Sequence, residues 1–265
     1  MAVVALAALL MQSGAGVQAR TPRPPTQPRA MVALVFGQSN AANWGETRHQ
    51  AHWRVRVFFR GRWFPARDPL PGADGTGGSV WTRLGDLLIG ARHYERVVWV
   101  PAAIGATDIA QWAPGGRLHE DLLRNVRAAQ RVGLRFTHLL WHQGESDAVL
   151  GTSEAEYRER FLNMLAALRA QGVRAPVFVA VATRCGRYPP NEAIRRAQQS
   201  LVNPELGIFA GPDTDQLDAS YRHDGCHFST RGLQAHAQLW FEALARAEAS
   251  APRDTQGAVA IGGFR

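Results

Sequence analysis

The sequence contains no lysine, and this absence excludes several classes of enzyme. A P-loop places a lysine on the phosphates of its nucleotide, a pyridoxal phosphate enzyme forms a Schiff base through a lysine, and a protein kinase needs a strand lysine. None of these chemistries is open to this chain. The glycine-rich stretch PGADGTGGS, Pro71 to Ser79, is therefore interpreted as a flexible loop before a helix, and not as a phosphate-binding loop.

Cysteine is scarce as well, since Cys185 and Cys226 are the only two. Two cysteines do not complete a tetrahedral zinc site, and His138 and His142 lie in a strand-like run, where positions i and i+4 share a face but are far apart. We therefore expect no metal. In an exported protein the two cysteines would form a disulfide, whereas in a cytosolic protein they would be buried thiols.

The apolar run near the N-terminus, Ala2 to Met11, is too short to cross a bilayer, so we expect no stable membrane insertion. Small and polar residues follow it and end in Val17, Gln18 and Ala19, which has the form of a signal-peptidase site. Residues 1–19 are thus predicted to be a signal peptide that exports the protein to the periplasm or the medium.

The segments that flank the expected domain have a different composition from it. Residues 20–30 are rich in proline and are predicted to form an extended tether. Residues 31–250 are predicted to form a single domain, and residues 251–265 a loosely held tail.

Basic residues outnumber acidic ones by 30 to 22, which gives a net charge of +8. Such a charge is compatible with binding to nucleic acid or to an anionic surface. The arginines, however, are scattered along every segment and form no dense basic run. We therefore expect no nucleic-acid partner.

Short apolar runs alternate with longer amphipathic ones in the expected domain, which predicts a mostly parallel five-stranded sheet covered by helices on both faces. The predicted strands are Met31–Phe36, Arg96–Ala103, Thr137–His142, Pro176–Ala182 and Gly207–Ala210. The predicted helices are Val80–Ala91, Glu120–Val132, Glu154–Ala170, Asn191–Leu201 and Thr230–Ala247. The segment Val55–Pro65 contains two β-rich pieces around Arg60 and Gly61 and is predicted to be a small inserted hairpin.

Polar blocks follow four of the predicted strands. These blocks are GQSN from Gly37, IGATDIAQW from Ile104, HQGESD from His142, and DGCHFSTRG from Asp224. Because ligands of open parallel sheets bind beyond the carboxyl ends of the strands, we expect these groups to converge on one edge of the sheet.

Together the four blocks supply the groups of a serine nucleophile system. Ser39 is the candidate nucleophile, and Asp224 is three residues before His227, so that one turn can bring the carboxylate onto the imidazole. The candidate donors to an oxyanion are the backbone N–H of Ser39, a backbone N–H at Gly105 or Ala106, and the side-chain amide of Gln143.

Each of these residues has an ordinary structural interpretation when it is taken alone. Ser39 could cap a helix, although Ala42 takes the position at which a capping box has Glu or Gln. Asp224 and the glycine after it are typical of a turn, and Glu145 and Asp147 favour the start of a helix. The occurrence of four such blocks in order, each after a strand, favours the catalytic interpretation.

The four blocks resemble those of the SGNH or GDSL-type hydrolase superfamily. Within it they resemble the carbohydrate acetylesterase branch, which includes sialate O-acetylesterase-like and acetyl xylan esterase-like proteins. The resemblance covers most of Met31 to Ala247. It implies a three-layer α/β/α sandwich of the flavodoxin-like type and a reaction that needs no cofactor and no metal.

The resemblance also implies roles for individual residues. Ser39 corresponds to the nucleophile, His227 to the base and Asp224 to its acid, while Gly105 and Gln143 complete the oxyanion hole. This chain has Gly105-Ala106 where the family often has two glycines, so the local turn is expected to differ. The third block has Gln-Gly-Glu in place of the superfamily's usual Asn, which makes Glu145 a possible auxiliary or even principal acid behind His227.

The function implied is that of a serine esterase that removes O-acetyl groups from carbohydrate through an acyl-enzyme. Two alternatives remain at this point: an acyltransferase that delivers the acyl group to a glycan hydroxyl, and a carbohydrate-binding relative that has lost catalysis. The sequence does not distinguish acetylated xylan, O-acetyl sialic acid and simple short-chain esters as substrates, and it leaves the oligomeric state open.

Overall fold

The computed structural model describes residues 29–250. The predicted signal peptide, the greater part of the predicted tether and the predicted tail lie outside these residues. The tether prediction ends slightly too late, because the first strand begins at Ala30. Arg29, just before that strand, forms an ion pair with Glu248 on the last helix.

Seven strands form one sheet in the order β3-β2-β4-β1-β5-β6-β7. The strands are Ala30–Gly37 (β1), Val55–Phe59 (β2), Arg62–Pro65 (β3), Arg96–Ala103 (β4), His138–His142 (β5), Val177–Val181 (β6) and Ile208–Asp213 (β7). All neighbouring pairs are parallel except β2 and β3. Strand β1 lies in the middle, between β4 and β5, so the residues at its carboxyl end meet the loops of both neighbours.

Six α-helices cover the two faces of the sheet in the described part of the chain. They are Val80–Gly90 (α1), His119–Arg131 (α2), Glu145–Leu150 (α3), Glu154–Ala170 (α4), Glu192–Ser200 (α5) and Thr230–Ser250 (α6). Apolar side chains of α2, α4 and α5 share one core with alternate residues of β1, and those of α1 and α6 share a second core with the other residues of β1. The three-layer α/β/α arrangement is as predicted.

The sheet has two more strands than the five predicted. The segment expected as a separate inserted hairpin does form β2 and β3, but β2 also pairs with β4 through Val55–Val97 and Val57–Trp99. Val55 and Val57 are buried, so β2 adds apolar surface to the core beside β4. Strand β3 then forms the edge of the sheet. The local sequence does not predict this pairing, because the two strands are about forty residues apart.

The glycine-rich segment Pro71–Ser79 is packed against the chain after β1, and is not the loosely placed loop expected from its composition. Backbone hydrogen bonds join Gly77 N–H to Asn43 and Gly78 N–H to Gly45, at 2.7 and 2.8 Å. A Cβ atom on Gly77 or Gly78 would lie 2.1 or 1.8 Å from a backbone carbonyl oxygen of Gly45 or Thr47. The glycines are therefore required by the close approach of two backbones, and not by flexibility.

Candidate active site

Ser39 lies at the carboxyl end of the central strand, in the first residue of a 3-10 turn over Ser39–Ala41. The turn is possible because Gly37 adopts φ +135°, and a Cβ atom there would lie 1.9 Å from the carbonyl oxygen of His142. Gln38 N–H donates to that same carbonyl at 3.1 Å. The abrupt change from apolar strand to polar turn thus depends on a glycine, which allows the end of β1 to approach the end of β5 closely.

His227 and Asp224 lie in the loop before α6 and contact each other directly. Nδ1 of His227 is 2.7 Å from Oδ2 of Asp224, and Oδ1 of Asp224 accepts the backbone N–H groups of Cys226 and His227 at 2.9 and 2.7 Å. A carboxylate only accepts hydrogen bonds, so Nδ1 carries the proton and Nε2 is left to act as a base. Burial disfavours the charged carboxylate, but the hydrogen bonds from His227 and Cys226 outweigh it and lower the pKa of Asp224 to about 2.

This loop is tied both to the chain after β6 and to the nucleophile turn. Cys226 forms a disulfide with Cys185, so of the two states that the sequence left open the structure has the bridged one. On the other side, Nδ2 of Asn40 contacts the carbonyl oxygen of Cys226 at 3.4 Å. The residue after Ser39 is therefore in contact with the residue before His227.

The side chain of Trp44 connects the two parts of the site. Its ring stacks on the His227 imidazole with centroids 5.3 Å apart and an angle of 24° between the planes. A Cβ atom placed on Gly105 would lie 3.0 Å from Nε1 of Trp44 and 3.4 Å from Cβ of Ser39. Ser39, His227 and Gly105 therefore lie at one edge of the sheet, where the polar blocks were expected to meet. Within residues 29–250, no hydrogen bond joins the Ser39 hydroxyl to His227.

The backbone N–H of Gly105, expected as an oxyanion donor, is hydrogen-bonded to a carboxylate in this structure. It donates to both oxygens of Asp74, at 3.0 and 2.9 Å. Ala106, the residue that replaces the second glycine of the family pattern, has φ +55°, in the left-handed region. The turn keeps a glycine-like conformation at Ala106 despite the substitution, at a cost of roughly 1 kcal/mol.

The side chain of Gln143 is engaged inside the protein and differs in this from the free donor that the sequence suggests. Its amide nitrogen donates towards the Thr107 carbonyl at 3.0 Å, towards Oε1 of Gln38 at 3.1 Å and towards Asp147. The residue is fully buried, and an amide has only two protons to donate. In this arrangement both protons are used to join the loops after β1, β4 and β5, and none faces Ser39 as a free donor.

Glu145 does not contact His227, so the structure gives it no place as an acid behind that imidazole. Its Oε1 accepts from Nδ2 of Asn40 at 2.7 Å and lies 3.3 Å from Nε2 of His142. Burial alone would raise the pKa of Glu145, but the contacts with His142 and Asn40 outweigh it and the pKa lies below its ordinary value. Glu145 therefore holds the residue next to the nucleophile, while Asp224 holds the imidazole.

Sequence reasoning missed Asp74 at this site, and with it the contact between Asp74 and the indole of Trp44. Nε1 of Trp44 donates to Oδ1 of Asp74 at 2.9 Å, so the carboxylate joins Trp44 to Gly105. Nothing in the local pattern indicates this contact, because Asp74 belongs to the glycine-rich segment that was interpreted as a flexible loop. The presence of an acidic residue among those glycines was the only available signal.

Ligand atoms of His223, Asp224 and His227 lie within 4.8 Å of one another, so these residues are capable of holding a metal ion. Two of them already form the imidazole–carboxylate pair, and a metal there would compete with that contact. The expectation of a metal-free site stays a prediction.

A cavity of about 500 Å³ lies between α2 and the β2–β3 hairpin, and Ala103 and Ile104 form part of its wall beside Gly105. Its size is in the range of small-molecule sites. Arg60 and Arg131 also line it, and both are exposed. The cavity therefore adjoins the strand end before Gly105, and neither Ser39 nor His227 lines it.

None of the helices described for residues 29–250 is long and apolar enough to span a membrane.

The fold, with a serine at the end of its central strand and a paired imidazole and carboxylate at the same edge, has the parts that the resemblance to the SGNH-type hydrolases implies. More particularly, residues 29–246 match the model of the family described as "Carbohydrate esterase, sialic acid-specific acetylesterase". The match covers well over half of the chain, and the chain belongs to this family of carbohydrate esterases.

Individual relatives agree with this assignment. A probable carbohydrate esterase of Arabidopsis thaliana is 28% identical over 161 residues, which are 52% of this chain and 60% of that relative. The solved structure of the Arabidopsis protein has a TM-score of 0.67 at 20% identity and covers 84% of this chain and 99% of that one.

Two further solved structures share the fold. NanS has a TM-score of 0.62 at 17% identity and covers 85% of this chain and 99% of its own. A putative GDSL-like lipase from Parabacteroides merdae has a TM-score of 0.57 at 13% identity and covers 82% of this chain and 97% of its own. At these identities the likeness shows the fold alone.

Proposed function

We propose that the protein is a serine esterase that removes O-acetyl groups from carbohydrate. The observation that carries the proposal is the contact between Asp224 and His227 beside Ser39, at the end of the central strand of a carbohydrate esterase family member. A paired imidazole and carboxylate next to a serine in a turn are the parts that acyl transfer through a serine requires.

In the proposed reaction the Ser39 hydroxyl attacks the carbonyl carbon of the acetyl ester. Nε2 of His227 takes the hydroxyl proton, and Asp224 stabilises the imidazolium and keeps its ring oriented. The proton then passes to the sugar oxygen as the bond between this oxygen and the acetyl carbon breaks. The acetyl group stays on Ser39. A water molecule, deprotonated by His227, hydrolyses this acyl-enzyme and releases acetate.

The oxyanion of each tetrahedral intermediate needs fixed donors, and the backbone N–H groups of Ser39 and Gly105 are the donors we propose. Gly105 is suited to this role by position, since a Cβ atom built on it would lie 3.4 Å from Cβ of Ser39. Gln143 acts differently in the proposal: its buried amide fixes the loops that carry these donors.

The test is acetate release from a panel of acetylated glycans and from an aryl acetate, with the Ser39→Ala variant as control. We expect turnover by the wild-type protein and a loss of about 10³-fold or more in the variant, with an unchanged thermal unfolding midpoint. Ser200→Ala is a matched variant, because Ser200 is exposed at the end of α5 and bonds only to the Ala197 carbonyl. It should keep full activity.

The same assay separates the alternatives. Retained turnover in the Ser39→Ala variant would remove the serine from the mechanism. Glycan binding without acetate release by the wild-type protein would favour the inactive carbohydrate-binding relative. Acetyl transfer to an added acceptor sugar, in place of acetate release, would favour the acyltransferase.

A further inference from the structure

The carboxylate of Asp74 accepts the backbone N–H of Gly105, which is a donor that the proposed reaction needs for its oxyanion. Both of its oxygens accept the N–H of Gly105, and Oδ1 also accepts the indole N–H of Trp44. A Cβ atom built on Gly105 would be 3.4 Å from Oδ2 of Asp74 and equally 3.4 Å from Cβ of Ser39. The carboxylate and the nucleophile are therefore neighbours at the same glycine.

An ester oxygen bound by the Gly105 N–H has to replace this carboxylate. The oxyanion that forms on attack is negative, and a carboxylate fixed at the same donor would repel it. A carboxylate that leaves loses hydrogen bonds to the Gly105 amide, and it needs new donors to compensate for them.

Only the side chain of Asp74 has to move for this exchange. Its backbone is fixed on both sides, since Asp74 N–H donates to the Ala103 carbonyl at 3.0 Å and the Asp74 carbonyl accepts Asn43 N–H at 2.8 Å. Asp74 is itself half-buried, and Trp44 beside it is 42% exposed. The carboxylate therefore lies at the boundary between the reacting groups and the solvent from which a substrate enters.

We propose that Asp74 is a specificity-determining residue, which releases Gly105 when its carboxylate accepts a hydrogen bond from a hydroxyl next to the ester. This inference rests on the proposed esterase function and adds a requirement to it. The productive substrates are acetyl esters of polyols that keep a free hydroxyl beside the acetylated position. Esters without such a donor leave the carboxylate on the Gly105 amide and react more slowly.

The test compares two substrates that differ only in this donor: a monoacetylated methyl pyranoside with a free neighbouring hydroxyl, and the same compound with that hydroxyl O-methylated. We expect the wild-type protein to prefer the free hydroxyl in kcat/KM. In Asp74→Ala the preference should fall by about 10- to 100-fold, the factor that a hydrogen bond to a charged group contributes. Activity on an aryl acetate should rise, because the Gly105 amide is then free.

Two further variants complete the design. Asp74→Asn keeps an acceptor without the charge and should retain an intermediate preference. Asp86→Ala is the matched control, because Asp86 on α1 also accepts one backbone N–H, from His52, and contacts one ring nitrogen, of His49. It should leave the preference at the wild-type value.

A preference in Asp74→Ala that stays within about threefold of wild type would overturn the inference, as would an equal loss of kcat/KM for both pyranosides and the aryl acetate. In either case a Ser39-dependent hydrolysis would persist in the wild-type protein and the proposed function would stand. Absence of any Ser39-dependent hydrolysis would contradict the proposed function and the inference together.

Discussion

Asp224 is the residue on which the orientation of His227 depends. Its low pKa means that it is ionised at neutral pH and well below it. The pKa of Asp224 lies below its ordinary value of 3.8, so the contact between Asp224 and His227 contributes its full stabilisation at any pH above 3.8. This stabilisation is lost only as the pH falls towards 2. Titration of Asp224 therefore does not shape the pH dependence of activity near neutrality.

The variant Asp224→Asn tests this role at constant shape. The asparagine amide would donate towards Nδ1 and favour the imidazole with its proton on Nε2, which cannot act as a base towards Ser39. We expect kcat for an aryl acetate to fall by about 10²- to 10⁴-fold with little change in the unfolding midpoint.

Asp218→Asn is the control for that measurement, since Asp218 likewise accepts a backbone N–H and a side-chain group, both from Ser220, in a nearby exposed turn. It should be fully active. A loss of less than tenfold in Asp224→Asn would assign the acid role to another group and reopen the case for Glu145.

At the scale of the element, the junction of β1 with the nucleophile turn is the most constrained connection in the site. Gly37 combines φ +135° with the close approach to the His142 carbonyl. Gly37→Ala should therefore lower the free energy of unfolding by about 2–4 kcal/mol, because β1 and β5 must separate to admit one methyl group. Urea denaturation measures this.

Gly90 at the end of α1 gives the matched comparison. A Cβ atom there would meet nothing within 4 Å, so Gly90→Ala should raise the free energy of unfolding by up to about 1 kcal/mol. Equal effects of the two substitutions would show that the backbone at Gly37 is not strained in the way described.

The elements themselves were largely predictable, and the reason is periodicity. The strand Arg96–Ala103 and the helix Glu154–Ala170 have the bounds expected from their apolar patterns. The short helix α3 was not among the predicted helices, although Glu145 and Asp147 favour a helix start, because six residues after a polar block carry too little periodic pattern. The pairing of β2 with β4 was missed for another reason: strand partners are chosen by tertiary packing and not by local sequence.

The same distinction applies to the site. The residue types and their placement after strands indicated Ser39, Asp224 and His227 and predicted their common edge. The hydrogen bonds of Gln143, Glu145 and Gly105 were not accessible in this way, because each one depends on a loop from a distant part of the chain.

At the scale of the whole molecule, a buried histidine makes the free energy of unfolding depend on pH. His138 in β5 lies beside Tyr94 and Phe178, and its burial lowers its pKa from 6.5 to about 4. The unfolded chain therefore binds a proton at this position that the native protein does not, and the free energy of unfolding falls as the pH drops below 6.5. The loss reaches on the order of 3 kcal/mol near the folded pKa.

Urea denaturation at several pH values between about 7 and 4 measures this slope. We expect His138→Gln to have a flatter dependence than wild type, whereas His52→Gln, at an exposed histidine, should leave the slope unchanged. Parallel curves for wild type and His138→Gln would show that the native protein takes up a proton at His138 as readily as the unfolded chain.

The bridge between Cys185 and Cys226 has a consequence for how the protein has to be made. It closes a loop across 41 positions and ends one residue before His227, so an oxidant has to act on the newly made chain before this covalent support of the imidazole loop exists. A host compartment that keeps thiols reduced would yield protein with a complete sheet and a poorly held base. Recombinant preparations should therefore be compared by their free thiol content before their turnover numbers are compared.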